Sequence, residues 1–124
     1  MNGPKSGLIS HQEIAWSEEP DNHLRYKPLV TAKEHGADIS ATFIEIDGEH
    51  HELKTDSSSR LYVLLAGTFS FIINDEESFK ATEGDLVYIR RGDRYRFTGN
   101  GRYLVINAPA FQPGDDIYSD GISR

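Results

Sequence analysis

From Leu29 onward the chain is written in short runs of Val, Ile, Phe, Tyr and Thr, each about 5–9 residues long and closed by turn-forming residues. The closers are Asp47-Gly48, Ala66-Gly67, Asn74-Asp75, Glu83-Gly84, Gly92-Asp93 and Gly99-Asn100-Gly101. No run sustains a 3.6-residue apolar period, which leaves no place for a helix beyond a turn or two. The pattern predicts strands at Ile39–Ile46, Arg60–Leu65, Thr68–Asn74, Ser78–Ala81, Asp85–Ile89, Arg94–Thr98 and Tyr103–Ala108. Short strands at that spacing build an antiparallel sandwich or barrel, an all-β fold. A chain of 124 residues supports one hydrophobic core. The expected organisation is an irregular N-terminal arm over residues 1–28, a barrel over 29–111 and a polar, peripheral C-terminal tail over 112–124. Trp16, Leu24 and Tyr26 are the arm's large apolar anchors, to be laid across its own core or a partner's.

Charge narrows the partners. Twenty acidic residues against 13 basic ones leave a formal net charge of −7. Such a chain repels phosphate backbones and anionic membranes at long range, so neither nucleic acid nor membrane is an expected partner. The segment "RRGDRYR" clusters Arg90, Arg91, Arg94 and Arg96 around one turn. With acidic loops at Asp75-Glu76-Glu77 and Asp115-Asp116 available, it reads as a surface or dimer salt-bridge patch. The absence of cysteine excludes disulfides, thiolate metal sites and a cysteine nucleophile. No apolar run reaches membrane-spanning length and residues 1–12 lack a secretory apolar segment, so a soluble, cytoplasmic protein is expected.

The glycines carry a resemblance. Gly48 and Gly67 stand where the motif G-x5-H-x-H-x3-E-x6-G requires its first and last residues. In "GDLVYIRRGDRYRFTGN", Gly84 and Gly92 stand at the two glycines of G-x5-P-x-G-x2-H-x3-N. With the strand-and-turn ending "LYVLLAG", residues 38–111 resemble the cupin superfamily, which implies a double-stranded β-helix, the jelly-roll barrel. The positions that bind metal in that family are all changed. Lys54 and Asp56 replace its two histidines, Arg60 its glutamate and Tyr95 its last histidine, while Arg90 and Gly99 replace the proline and asparagine. The four-residue spacer substitutes Leu53 and Thr55 for the histidines and restores nothing. Lys and Arg offer no lone pair to a metal. The resemblance therefore implies the scaffold without its metal, and no cofactor is expected.

Two adjacent histidines, His50 and His51, remain conspicuous. Neighbours on a strand point to opposite faces, so they cannot both enter one barrel. They follow Asp47-Gly48, where a solvent-facing hairpin is expected, and His11, His23 and His35 lie in the loosely structured N-terminal region. Alternation from Arg60 places Arg60, Tyr62 and Leu64 inward. A buried guanidinium needs a partner; Asp56 is the expected one, and the Tyr95 hydroxyl an acceptor for the same group. Two readings stay open: Lys54, Asp56, Arg60 and Tyr95 form a salt-bridge network in place of the metal, or Arg60 and Lys54 grip a carboxylate or phosphate.

The leading functional expectation is a metal-free barrel binding a small molecule, anionic in one version, with Lys54, Asp56, Arg60, Tyr62 and Tyr95 as pocket candidates. The alternatives are a metal-independent isomerase- or epimerase-like enzyme, with Asp56 as base and Tyr95 as acid, or a non-catalytic interaction module. A homodimer built on the arm and the arginine patch is the expected assembly.

Overall fold

The computed structural model describes residues 5–124. It is almost entirely antiparallel sheet, in eight strands: β1 (Ser17–Glu19), β2 (Leu24–Val30), β3 (Ser40–Lys54), β4 (Ser59–Ile73), β5 (Phe79–Thr82), β6 (Leu86–Ile89), β7 (Tyr95–Ala108) and β8 (Ile117–Tyr118). The order is β1-β2-β3-β7-β4-β5, with β6 added to β4 and β8 to β3. The sheet does not close on itself through backbone pairing.

Three of the expected turn closers are not turns. Asp47-Gly48, Ala66-Gly67 and Gly99-Asn100-Gly101 lie inside β3, β4 and β7, which run uninterrupted for 15, 15 and 14 residues. The glycines meet one another instead: Gly48 is in register with Gly99, and Gly67 with Gly101. Each long strand bends there and contributes one half to each of two facing layers. Ser40–Ile46, Ser59–Leu64 and the C-terminal half of β7 form one layer with β2 and β6. The second layer holds the remaining halves with β5 and β8. Asn74-Asp75 is a true turn, with φ of 52° and 57°.

Between the layers lies an aromatic core of Tyr62, Phe69, Phe71, Tyr95, Phe97 and Tyr103, each at most 3% exposed. Phe71 and Phe97 stack at 4.7 Å, and Tyr103 meets Phe97 edge-on at 5.8 Å. Alternation along β4 places Arg60, Tyr62 and Leu64 inward, as expected.

Both termini are more structured than expected. The arm's last part is strand β2, paired with β3 from Leu24 to Val30, so the irregular stretch is shorter than residues 1–28. Within the chain, Trp16 packs half-buried on Phe43 at 5.7 Å, on the outer face of β3, with Arg25 over its ring. Residues 112–124, expected to be peripheral, pair β8 with Leu53 and Lys54 and bury Tyr118. Periodicity missed both because the segments are short and depend on distant partners rather than on an apolar repeat of their own.

The glycine pairing predicts a graded response. A Cβ at Gly101 would lie 2.0 Å from the Ala66 carbonyl oxygen, whereas one at Gly84 meets nothing within 4 Å despite a φ of +91°. Gly84→Ala should cost about 1–2 kcal/mol of backbone strain. Gly101→Ala should cost visibly more, because backbone must move against backbone. Urea midpoints of the two variants, compared with the parent, check the ordering.

Candidate functional site

A cavity of about 360 Å³ opens between the layers. Its inner wall is built in cross-strand rows. Ser40, Asn107 and Arg60 form the first row, Thr42, Val105 and Tyr62 the second, and Ile44 and Tyr103 the third, where Leu64, the register partner of Tyr103, does not reach the cavity. The cavity is polar at the first row and apolar at the third. Residues 111–124 wall its mouth through Phe111, Pro113, Asp116 and Arg124.

Arg60 is the central group, only 5% exposed. Its Nη1 donates to the Tyr95 hydroxyl at 2.9 Å, and Nη2 is paired with the Asp116 carboxylate. Tyr95 and Tyr62 share a hydroxyl–hydroxyl hydrogen bond of 2.5 Å. Burial works against the charge of Arg60, yet Tyr95, Tyr62 and Asp116 together hold it well above its ordinary range, and it stays protonated. Burial likewise raises Tyr62 and Tyr95, with the guanidinium pulling the other way. Both phenols keep their protons at neutral pH.

His50 enters the cavity, contrary to the solvent-facing hairpin expected for it. It is 7% exposed and stacks on Phe97 at 4.9 Å, while His51, its neighbour, points outward. The cause is the bend at Gly48: with no turn there, β3 continues and its alternation carries His50 inside. Desolvation lowers the His50 pKa to about 4, so the ring is neutral near pH 7. Its Nδ1 lies 2.9 Å from the His51 carbonyl oxygen. A carbonyl only accepts, which places the proton on Nδ1 and leaves the Nε2 lone pair free.

The five sequence candidates divide. Arg60 and Tyr62 line the cavity; Tyr95 is fully buried, does not line it, and is linked to it by hydrogen bonds to both of these residues. Lys54 and Asp56 are not brought to it. They pair with each other at 3.4 Å near the surface, with Asp56 59% exposed. Asp56 is therefore not the partner of Arg60; Asp116 is, from 56 residues away, a separation that gave the sequence no local signal. The three groups missed in the sequence are His50, Asp116 and Asn107. His50 was conspicuous in the sequence but placed in solvent, and Asn107 left a trace as the inward residue two places after Val105.

Charges around the cavity balance, with Glu19 and Asp116 against Arg60 and Arg124. Glu19 is raised above the usual carboxylate range by burial, a shift that its hydrogen bond from Asn22 opposes. The residues at the cupin metal positions do not fit a metal: Lys54 and Arg60 lack lone pairs, and among the described residues no three His, Asp or Glu side chains converge. The arginine patch is engaged within the chain, Arg94 and Arg96 each reaching both Glu52 and Asp75.

No protein-family model and no curated protein matches the sequence. Solved structures do match the fold. Pac13 from Streptomyces, described as a nucleoside dehydratase, superposes with a TM-score of 0.80 at 18% identity, over 96% of this chain and 95% of that chain. Structures of Pac13 with uridine carry a histidine-to-glutamine change or a tyrosine-to-phenylalanine change at either of two positions. The polyketide cyclase RemF from Streptomyces resistomycificus superposes at 0.70 with 15% identity, over 90% and 89% of the two chains. The Cnp3 cupin domain of Schizosaccharomyces pombe does so at 0.67 with 15% identity, over 81% and 72%. The chain has the cupin fold.

Two measurements check this geometry. Asp116→Ala leaves a buried guanidinium without its counter-charge and should destabilise the fold by about 3–5 kcal/mol, while Asp56→Ala should stay within about 1 kcal/mol of the parent. Chemical denaturation of both variants reads the difference. The His50 pKa is lower folded than unfolded, so the unfolded chain binds more protons between pH 6.5 and about 4. The stability this provides is complete above pH 6.5 and is lost as pH falls, by about 1.4 kcal/mol per unit. Relative to His50→Gln, the parent should lose about 3 kcal/mol by pH 4.

Proposed function

We propose that the cavity is the active site of a metal-independent acid–base enzyme acting on an uncharged, polar small molecule of nucleoside type, by elimination of water. The single observation that carries this is a neutral histidine and a phenol facing one cavity, the phenol backed by a buried arginine. Charge balance supports an uncharged ligand over the anionic one that the basic residues suggested, because Asp116 already occupies Arg60. The likeness to Pac13 supports the chemistry. His50, Tyr62 and Tyr95 are the same residue types as its three substituted positions, and their intervals along the chain differ from that protein's by a single residue each.

In this reading His50 Nε2 removes a proton from carbon. A base held this weakly basic requires a C–H acidified by an adjacent carbonyl. As the C–H pair becomes the new double bond, the β C–O bond breaks and the hydroxyl leaves as water with a proton from Tyr62. Tyr95, accepting from Arg60 Nη1 and donating to Tyr62, sets the direction of the Tyr62 proton toward the ligand. Arg60, buried at 5% exposure, stabilises the charge left on the phenol pair. The proton taken by His50 and the one given by Tyr62 balance, and the water carries the leaving oxygen.

The experiment is a screen of nucleosides bearing a sugar carbonyl with a β-hydroxyl, followed by mass for the loss of water, beside calorimetric binding of uridine. The parent should turn over at least one, and kcat/KM should stay level down to about pH 5 and fall near the His50 pKa of about 4. His50→Gln should keep uridine binding and lose turnover by about 100-fold or more. Binding of uridine with no elimination in any member of the panel would reduce the reading to a small-molecule carrier. Failure of both would remove it.

A further inference from the structure

Arg60 and Asn107 stand directly opposite each other in the first row of the cavity wall. They are 5% and 4% exposed. Two guanidinium nitrogens are engaged, Nη1 on Tyr95 and Nη2 on Asp116, while the third, Nε, is buried with no partner among the described residues. Asn107 Oδ1 is also buried without a partner, and among the described residues no side-chain hydrogen bond reaches this amide. Donor and acceptor do not satisfy each other. An unmade buried hydrogen bond costs stability, and two of opposite polarity at the polar end of one cavity are a standing cost that the fold itself does not recover.

We propose that the Asn107 amide, together with Nε of Arg60 from the paired position on β4, is the recognition edge for an imide group, C(=O)–NH–C(=O), on the ligand. The ligand N–H donates to Asn107 Oδ1, one carbonyl accepts from Asn107 Nδ2, and the other accepts from Arg60 Nε. An amide side chain is self-complementary to such a group, presenting an acceptor and a donor side by side. The guanidinium supplies the second donor that distinguishes an imide from a simple lactam. Selectivity follows from the unpaired state: an analogue lacking the N–H leaves Oδ1 buried and unmade, which a site of this kind rejects strongly. This assignment rests on the reading of the cavity as the ligand site and adds which chemical group is read there and by what.

The test uses succinimide and N-methylsuccinimide as probes, titrated into the full chain while the Asn107 side-chain amide is followed by NMR. Succinimide should shift that resonance and saturate; the N-methyl compound should bind about 10-fold more weakly or not at all. Asn107→Leu, close in volume, should lose about 10-fold or more in succinimide affinity while its thermal midpoint stays level or rises, since it removes an unpaired polar group. Equal binding of the two probes, no binding of succinimide, unchanged affinity in Asn107→Leu, or a fall in that variant's midpoint would each overturn the assignment. Succinimide discrimination through Asn107 without any elimination activity would leave it standing and reject the dehydratase reading. Elimination without imide discrimination would do the reverse.

Discussion

The backbone contact between Gly67 and Gly101 is the constraint on which the molecule turns. A Cβ at Gly67 would sit 1.9 Å from the Asn100 carbonyl oxygen, so the two strands approach to a distance that only glycine permits. That approach lets β4 and β7 bend together; Gly48 and Gly99 are in register across β3 and β7, but there the room a Cβ would need is taken by the side chains of His23 and Phe69. Three bent strands, rather than six straight ones, form the two layers. Across that seam the inward alternation of β7 runs on from Tyr95 and Phe97 to Tyr103 and Asn107, whereas β4 shifts register between Leu64 and Ala66 and its inward side passes from Arg60, Tyr62 and Leu64 to Phe69 and Phe71.

Continuity of β3 through Gly48 has the largest chemical consequence. It converts His50 from an exposed turn residue into a neutral ring over Phe97, its Nδ1 at the His51 carbonyl and its Nε2 free. Beside it, burial of Arg60 imposes a second order. A guanidinium in this setting requires a carboxylate, and the one that meets it comes from the tail. Asn22, fully buried, binds Glu19, the Tyr118 hydroxyl and the His51 amide, and so ties the N-terminal segment, the tail and β3 into one wall. The tail is thus part of the site, and its Asp116 and Arg124 add one charge of each sign.

Much of the fold was legible in the residues. Period-two alternation announced the separate halves of β4 and β7, though not their continuity, and put Arg60, Tyr62 and Tyr95 inward; the glycine offsets announced the jelly roll. The site was legible only in part, for a reason that differs by residue. Lys54 and Asp56 were placed by analogy of position, but β3 bulges between His50 and Leu53, and the pair ends at the surface. Asp116 lies in a polar stretch with no apolar period, and nothing local marks it as the partner of a buried arginine.

The sequence by itself determined the all-β class, the glycine framework, the loss of the family's metal donors and the inward arginine, because each follows from local stereochemistry or from lone-pair counting. The tertiary structure decided which acid meets Arg60, that His50 rather than Asp56 faces the cavity, and that Arg60 Nε and Asn107 Oδ1 remain unpaired. Those outcomes depend on contacts between residues many positions apart. Their energies come from desolvation, which only a packed interior creates.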